Sequence, residues 1–269
     1  MISLVQLLRE AQGNPKAVIL AGAPGAGKGY ILRGLDLGGL KTMNVDDIYV
    51  PLLKKANVSL DLKNATPEER SEQAKQMAAA NKQFKGEMEQ IIAGKESFIL
   101  DGTAASFKKT AELKSELEEA GYGVFMLYVY TDLERSLKQN QDRFEKSGGE
   151  DRSLAPAIVM RTWASVTKNY KPYRDLFGGG NFALVANTLE GDKLENLEDI
   201  VDKYLTPFKP TNTKPKTPAQ QQKAKERKAK EEEEIKSLLD DGFVKDITSD
   251  GLSKEEAQMK LKQFLSKWV

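Results

Sequence analysis

The amino-acid sequence predicts an α/β fold of three layers, in which a parallel sheet carries helices on both faces. Over the first two thirds of the 269 residues, short apolar segments alternate with charged, amphipathic ones. This alternation is typical of parallel strands joined by crossover helices. Two segments are the most strand-like: Lys16–Ala21, which ends at a glycine-rich turn, and Gly123–Tyr130, which is apolar almost throughout.

The other elements follow from local signals. Thr66 and Glu69 form a capping box and Pro67 takes the first helical position, so a helix is expected over 66–86. Thr131 and Glu134 predict a second capped helix after the strand at 123–130. Further strands are expected at 42–45, 97–100 and 181–186, and further helices at 29–35, 108–120 and 196–205.

Three domain regions are expected from composition. Residues 1–205 form the α/β domain. Residues 206–218 contain four prolines and predict an extended linker. Residues 219–269 form a charged helical extension, with a solvated helix over 223–234 and a more amphipathic one over 253–268, for which a protein partner is an open alternative to docking on the core.

Composition limits the chemistry. The chain has no cysteine and no histidine, which excludes disulfides, thiolate metal sites, histidine bases and histidine-ligated zinc. The remaining Asp, Glu, Lys, Arg and hydroxyl groups suit phosphoryl transfer. The net charge of +1 does not indicate nucleic-acid binding. No leader and no membrane-spanning segment is recognised, so a cytoplasmic location is expected.

A phosphate-binding loop is predicted directly after the first strand. Gly22, Gly27 and Lys28 fit the Walker A pattern G-x-x-x-x-G-K between a strand and a helix. Glycines let successive N–H groups face phosphate oxygens, and the lysine adds a full charge. The alternative is a glycine-rich turn with a chance lysine. The predicted ATP-binding residues of the loop are Gly22, Ala23, Pro24, Gly25, Ala26, Gly27, Lys28, Gly29 and Tyr30.

Acidic side chains follow two of the predicted strands. Asp46 and Asp47 come after the second strand, and Asp101 ends the third. An open α/β sheet places its active site at the carboxyl ends of its strands. Because Gly29 stands where Ser or Thr usually binds Mg²⁺, Asp101 and Asp46 are expected to hold the metal through water. A helix N-cap at Asp46-Asp47 and a simple Asp-Gly turn at Asp101 are the structural alternatives.

Arginines are concentrated later in the chain, at positions 135, 143, 152 and 161. The segment 141–153 is polar and contains two adjacent glycines, which is typical of a mobile lid over a nucleotide. Lid arginines would stabilise the transferring phosphoryl group. A charged, solvent-exposed turn is the alternative.

These motifs resemble those of P-loop kinases of the zeta-toxin-like and adenylate-kinase-like group. The loop GAPGAGKG is similar to that of adenylate kinases, although Tyr30 replaces their threonine. The element NVDDI resembles the N-x-D-[ED]-[IF] element of zeta-toxin-like kinases, and LDGT resembles their strand-end [ED]-G-T. The resemblance implies a P-loop NTPase fold, with Asp46 as the base that binds the acceptor hydroxyl.

The resemblance also implies roles for residues late in the domain. Arg152 and Arg161 match the lid and the arginine-bearing helix that follows it, and Arg143 would lie against adenine. Asn187 and Thr188 fall where these kinases place the loop near the adenine ring.

The predicted function is transfer of the γ-phosphoryl group of ATP, with Mg²⁺, to a hydroxyl. Adenylate kinases grip an acceptor phosphate with arginines, but Thr103 follows Asp101-Gly102 here and no arginine lies near Asp46 in the sequence. An uncharged hydroxyl is therefore favoured, on a small molecule, a nucleotide sugar or a nucleic-acid end. The alternative is an ATP-binding or ATP-hydrolysing assembly or interaction protein whose C-terminal tail binds a partner.

Overall fold

The computed structural model of the protein describes residues 14–34, 40–62, 64–178, 180–187 and 218–240. In these ranges five strands form one parallel sheet in the order β2-β3-β1-β4-β5. The strands are β1 (Lys16–Ala21), β2 (Lys41–Met43), β3 (Phe98–Leu100), β4 (Gly123–Tyr130) and β5 (Phe182–Ala186).

Helices connect the strands and cover both faces of the sheet, as a parallel sheet requires. They are α1 (Lys28–Gly34), α2 (Asp46–Lys55), α3 (Pro67–Ala93), α4 (Phe107–Glu119), α5 (Leu133–Lys146), α6 (Pro156–Lys168), α7 (Tyr170–Phe177) and α8 (Pro218–Asp240). The predicted three-layer α/β fold is confirmed.

Strand β1 sits at the centre of the sheet, and its position locates the site. From β1 the chain crosses to the edge strand β2, returns to β3, and then passes to β4 on the other side. The strand order therefore reverses at β1, and ligands of open α/β sheets bind at such a switch point, beyond the carboxyl ends of the strands.

Alternate residues of β1 pack into the cores on the two faces of the sheet. Ala17 and Ile19 join the larger core with Trp163 of α6. Val18 and Leu20 join the smaller one with Val129 of β4. Burial of apolar side chains on both faces holds the carboxyl end of β1, and the loop that follows it, in a fixed place.

Two helix starts show how far capping signals predict local structure. The box at Thr66 is confirmed, because its hydroxyl accepts from the Glu69 N–H and the Glu69 carboxylate accepts from the Thr66 N–H. The predicted cap at Thr131 is wrong. Asp132 occupies the N-cap position of α5 but its side chain does not cap the helix, and the Thr131 hydroxyl donates instead to the Asn187 carbonyl.

Element bounds differ modestly from expectation. The helix predicted over 66–86 continues to Ala93, because a single glycine, Gly86, does not break a helix that is otherwise rich in helix-forming residues. Strands β2, β3 and β5 are each one residue shorter than predicted. The helix predicted at 196–205 and most of the proposed linker lie outside the described residues.

The described part of the C-terminal extension is helix α8, which begins at Pro218, the last residue of the predicted linker. Most of α8 is exposed, but Ile235 is buried in the larger core and Leu238 packs against it. Lys168 of α6 pairs with Glu234 at 2.6 Å. Thus α8 docks on α6. The helix predicted over 253–268 lies outside the described residues, and in the described ranges no helix has the length and apolarity to cross a membrane.

Candidate active site

The phosphate loop joins β1 to α1, and steric limits explain its glycines. Gly25 and Gly27 have φ of 77° and 82°, a region that favours glycine. A Cβ on Gly22 would lie 2.8 Å from the Val129 carbonyl oxygen, and one on Gly27 would lie 2.3 Å from Asn187 Nδ2. The close approach of β4 and of the residue after β5 thus requires glycine at both ends of the loop.

Lys28 starts α1, and its ammonium group lies inside the curve of the loop. Its Nζ donates to the carbonyls of Gly22 at 3.0 Å and Ala23 at 3.3 Å. Burial lowers the pKa of Lys28, and the nearby charges of Asp101, Arg143, Asp46 and Arg152 shift it further in both directions. The structure therefore brings these four predicted site residues within electrostatic range of the loop lysine.

Asp101 follows β3, next to the phosphate loop. Its N–H donates to the Met43 carbonyl at the end of β2, and its Oδ2 accepts from Asn44 Nδ2 at 3.2 Å. Burial raises the pKa of the Asp101 carboxyl, while the charge of Lys28 opposes that rise. The chain bends at Gly102, and the half-buried Asp101 carboxylate lies within electrostatic range of the loop lysine.

Asp46 is the first residue of α2, two residues after Asn44. Its N–H donates to Asn44 Oδ1 at 2.9 Å. Val45, not either aspartate, occupies the N-cap position. Burial and the neighbouring charge of Asp46 raise the pKa of Asp47. The amide of Asn44 thus bridges the Asp101 carboxylate and the backbone of Asp46, which fixes the two carboxylates relative to each other.

Arg152 contacts Asp46 directly. Its Nη2 lies 2.5 Å from Asp46 Oδ2, across 106 residues of sequence. No arginine is near Asp46 in the sequence, but the inference that Asp46 lacks an arginine beside it is wrong, because the segment before α6 folds over the start of α2. Asn44, Asp46, Asp101 and Arg152 are together called the acceptor edge below.

The chain between α5 and α6, residues 147–155, is called the lid segment. The predicted lid began at 141, but α5 continues to Lys146 and the turn is correspondingly shorter. Ser153 anchors it: its N–H donates to the Leu60 carbonyl at 3.1 Å, and its hydroxyl donates to Asp61 at 2.7 Å. The lid segment is thereby held on the connection between α2 and α3, and this contact presents Arg152 to Asp46.

The other predicted binding residues have different surroundings. Arg143 pairs through Nε with Asp151 at 3.0 Å, so α5 and the lid segment are joined near Lys28. Its contact with adenine stays a prediction. Arg161 is exposed on α6 and is not among the charges that shift the pKa of Lys28. Tyr30 is exposed on α1 by 47%, and Gly29 beside it leaves that turn without the usual hydroxyl.

The donor set beside Lys28 fits a magnesium ion bound together with phosphates. In the described ranges no group of three or more acidic side chains could hold a metal by itself. Mg²⁺ is commonly held by one or two carboxylates plus phosphate oxygens and water. Asp101 and Asp46 supply that number of carboxylates. The assignment of these two residues to the metal stays a prediction.

Two asparagines, Asn44 and Asn187, were not among the predicted site residues, although Asn187 was expected near the adenine ring. Asn44 organises the acceptor edge, and the signal for it was its position two residues before Asp46, the spacing of an Asx turn. Asn187 donates through Nδ2 to the Ala26 carbonyl of the phosphate loop at 2.8 Å. That contact spans 161 residues, and no local pattern predicts it. Thr188 lies outside the described residues.

Fold and loop together define the class: a five-stranded parallel sheet of order 2-3-1-4-5 with a phosphate loop after its central strand is the fold of P-loop kinases. The sequence model of the zeta toxin family, described as "Zeta toxin", matches residues 4–170. The chain belongs to the zeta toxin family. A search of curated proteins returned no match.

Two solved structures of one complex show the same fold at low identity. The complex of AvrRxo1-ORF1 with AvrRxo1-ORF2 with sulphate ions is 17% identical, with a TM-score of 0.51, covering 96% of this chain and 83% of that one. The same complex with ATP is also 17% identical, with a TM-score of 0.50, and again covers 96% of this chain and 83% of that one. A structure from the PezAT toxin-antitoxin system of Streptococcus pneumoniae is 15% identical, with a TM-score of 0.48, covering 88% and 95%.

Proposed function

We propose that this protein transfers the γ-phosphoryl group of ATP to a hydroxyl group of an acceptor. The observation that carries the proposal is the placement of Asp46. Asn44 fixes its backbone, Arg152 pairs with its carboxylate, and its charge acts on Lys28 in the phosphate loop. A carboxylate within electrostatic range of the loop lysine is suited to act on an acceptor hydroxyl next to the γ-phosphate.

The phosphate loop accounts for nucleotide binding. Its backbone N–H groups and the N-terminus of α1 attract phosphate oxygens, and Lys28 supplies a full positive charge. Lys28 now donates to the carbonyls of Gly22 and Ala23, so phosphate oxygens would replace weaker carbonyl acceptors. Charge-assisted bonds of this kind are stronger than neutral ones, and ATP binding is expected to stabilise the loop.

Asp46 accounts for the chemistry at the acceptor. Its carboxylate accepts the proton of the acceptor hydroxyl as the hydroxyl oxygen bonds to the γ-phosphorus. The bond from that phosphorus to the β–γ bridging oxygen breaks, and ADP leaves with the electron pair. Such a base contributes about 10²–10⁴ to a rate.

Arg152 changes partner in this scheme. In the structure its charge is neutralised by Asp46, so neither group is ready for the reaction. The γ-phosphate of ATP would draw the guanidinium toward the transferring group, where its charge is needed. Asp46 would then be free to accept the proton. A bound Mg²⁺, held by Asp101 and Asp46 through water, would neutralise further charge on the phosphates.

The acceptor is proposed to be an uncharged hydroxyl, on a small molecule, a nucleotide sugar or a nucleic-acid end. The presence of Arg152 at the acceptor edge does not change this, because Asp46 neutralises it and the proposed transfer commits it to the γ-phosphate. An acceptor phosphate would have to compete with both.

A nucleotide-dependent interaction protein is the second candidate. The observation in its favour is that α8 docks on α6 through Ile235 while most of the helix stays exposed. The similar AvrRxo1-ORF1 structures are complexes with a second protein, AvrRxo1-ORF2. In this alternative, ATP would be bound or slowly hydrolysed and the C-terminal extension would bind a protein partner.

The test is to incubate the protein with Mg²⁺ and ATP labelled on the γ-phosphate, with fractionated metabolites, nucleotide sugars and nucleic acids as acceptors. Label on a new compound with the wild type, and none with Asp46→Asn, supports the transfer reaction. Release of phosphate alone, unchanged by every acceptor fraction and by Asp46→Asn, would contradict it and favour the interaction protein.

A further inference from the structure

We infer that Asn187 is a positioning residue that sets the conformation of the phosphate loop and thereby its affinity for polyphosphate. The inference rests on the proposed function only in assuming that the loop binds phosphates. It departs from the role that the resemblance implies, which is proximity to adenine.

The Asn187 side chain is built against the loop. Its Nδ2 donates to the Ala26 carbonyl at 2.8 Å, and the same nitrogen would lie 2.3 Å from a Cβ on Gly27. The φ of 82° favours glycine at this position, and any larger residue would also have to displace the Asn187 amide. A side chain that only approached adenine would not need to fill the outer side of this turn.

The backbone of Asn187 is held at both ends. Its N–H donates to the Tyr130 carbonyl at 2.8 Å. Its carbonyl accepts from the Thr131 hydroxyl at 3.1 Å. The end of β4 thus fixes the residue, so the amide has little freedom to leave the loop.

A hydrogen-bond chain extends from this anchor to helix α6. Trp163, which is fully buried, donates through its indole N–H to the Thr131 carbonyl at 2.8 Å. Thr131 in turn donates to Asn187, and Asn187 donates to Ala26. The helix that follows the lid segment and the phosphate loop are therefore linked by three successive hydrogen bonds.

The direction of the last bond determines its effect. Because the Ala26 carbonyl faces Asn187, the N–H of Gly27 in the same trans peptide unit points to the opposite side, away from Asn187. We infer that this N–H faces the inner side of the loop, where phosphate oxygens need it. Without the bond, the two glycines with positive φ on either side of Ala26 would leave the loop free to sample other conformations.

The experiment measures the affinity of the full chain for Mg²⁺-ATP and for inorganic tripolyphosphate by titration calorimetry. Asn187→Ala is expected to weaken the binding of both ligands by the same factor, about tenfold, because one hydrogen bond is lost and the loop becomes more mobile. Asn187→Asp keeps the size of the side chain but removes its N–H donor, so it is expected to weaken the binding of both ligands at least as much. Thermal unfolding checks that each variant is folded.

Asn169→Ala is the matched control. Its Nδ2 donates to the Ala105 carbonyl at 3.0 Å, and the residue is buried. Its removal should lower the unfolding temperature at least as much as Asn187→Ala does, with tripolyphosphate affinity unchanged. If the Asn187 variants lose affinity for ATP alone, the residue contacts adenine and the inference is overturned. Unchanged affinity for tripolyphosphate would overturn it as well. A wild type that binds ATP but transfers nothing would refute the proposed function alone.

Discussion

The phosphate loop and the acceptor edge are neighbours in space, but the chain builds them in different ways. The loop is a continuous segment, residues 22–28, whose conformation depends mainly on its own glycines and on the strand and helix on either side, with a further bond from the distant Asn187 to Ala26. The acceptor edge is assembled entirely from separate segments, with Asn44 bonded to Asp101 across 57 residues and Arg152 to Asp46 across 106. The loop is therefore rigid and mainly local, whereas the acceptor edge depends on the placement of the lid segment.

This difference has a functional consequence. The loop can bind phosphate as soon as the sheet has formed. The acceptor edge keeps its base and its arginine paired with each other, so its groups change partners when substrates bind. We expect variants of the loop to act mainly on nucleotide binding and stability, and variants of the acceptor edge to act mainly on transfer.

The largest effect is expected from Lys28→Met. Loss of the Lys28 ammonium group should weaken ATP binding and reduce transfer by about 10³-fold or more, because this positive charge stabilises the negative phosphates during transfer. Titration calorimetry and the labelled-ATP assay measure both quantities. Lys54→Met, which breaks only the exposed pair with Glu150, is the control and should change little. ATP affinity equal to that of the wild type in Lys28→Met would remove the loop from the account.

A smaller loss is expected from Arg152→Gln, about 10²-fold in transfer with nearly unchanged ATP affinity, because its charge acts on the transferring group. Arg161→Gln is the comparison. Since Arg161 is exposed and does not act on Lys28, its loss should be about tenfold or less. Steady-state transfer rates for the two variants decide the matter: a larger loss for Arg161 would show that the lid segment presents a different arginine during the reaction.

Two glycine variants compare a glycine that the phosphate loop requires for steric reasons with one that has free space around it. Gly25→Ala should lower the free energy of unfolding by about 2 kcal/mol, since φ is 77° and the new Cβ would lie 2.6 Å from the Ser136 carbonyl oxygen. Gly102→Ala, next to Asp101, meets nothing within 4 Å and should change stability by less than about 0.5 kcal/mol. Urea unfolding measures both. Equal costs would contradict the rigid-loop description.

The smallest effect is a pH-dependent gain in stability from Asp101→Asn. Burial raises the pKa of Asp101 in the folded protein. The wild type therefore loses stability as pH rises from the unfolded-state pKa through the folded-state pKa, and the uncharged variant does not. The variant should match the wild type at low pH and exceed it at neutral pH, by on the order of 1 kcal/mol. Urea unfolding at several pH values tests this, and a gain that grew toward acid pH would have the wrong sign.

The same contrast explains what could be predicted from the sequence. The strand β1, the loop and the capping box at Thr66 were predictable because each depends on residues within a few positions of one another. The Thr131 cap failed because the hydroxyl is used by Asn187, a residue 56 positions away. The pairing of Arg152 with Asp46 could not be predicted, since it depends on the docking of the lid segment at Leu60 and Asp61.

The predicted site residues divide in the same way. Lys28, Asp101 and Asp46 could be proposed from the sequence because each directly follows a strand or lies close after it, where such folds concentrate their active sites. The position of Asn187 after the last strand could be predicted, but its hydrogen bond to Ala26 could not. An asparagine in a loop can bond to many groups, and the partner depends on the tertiary fold.

The most direct test of the central claim compares Asp46→Asn with the wild type in two assays, ATP affinity by calorimetry and transfer of labelled phosphate to the acceptor found with the wild type. If Asp46 is the base, Asp46→Asn should keep an ATP affinity within a few-fold of the wild type and lower the transfer rate by about 10²–10⁴. Transfer at the wild-type rate in Asp46→Asn would show that the acceptor edge does not contain the base and would contradict the mechanism.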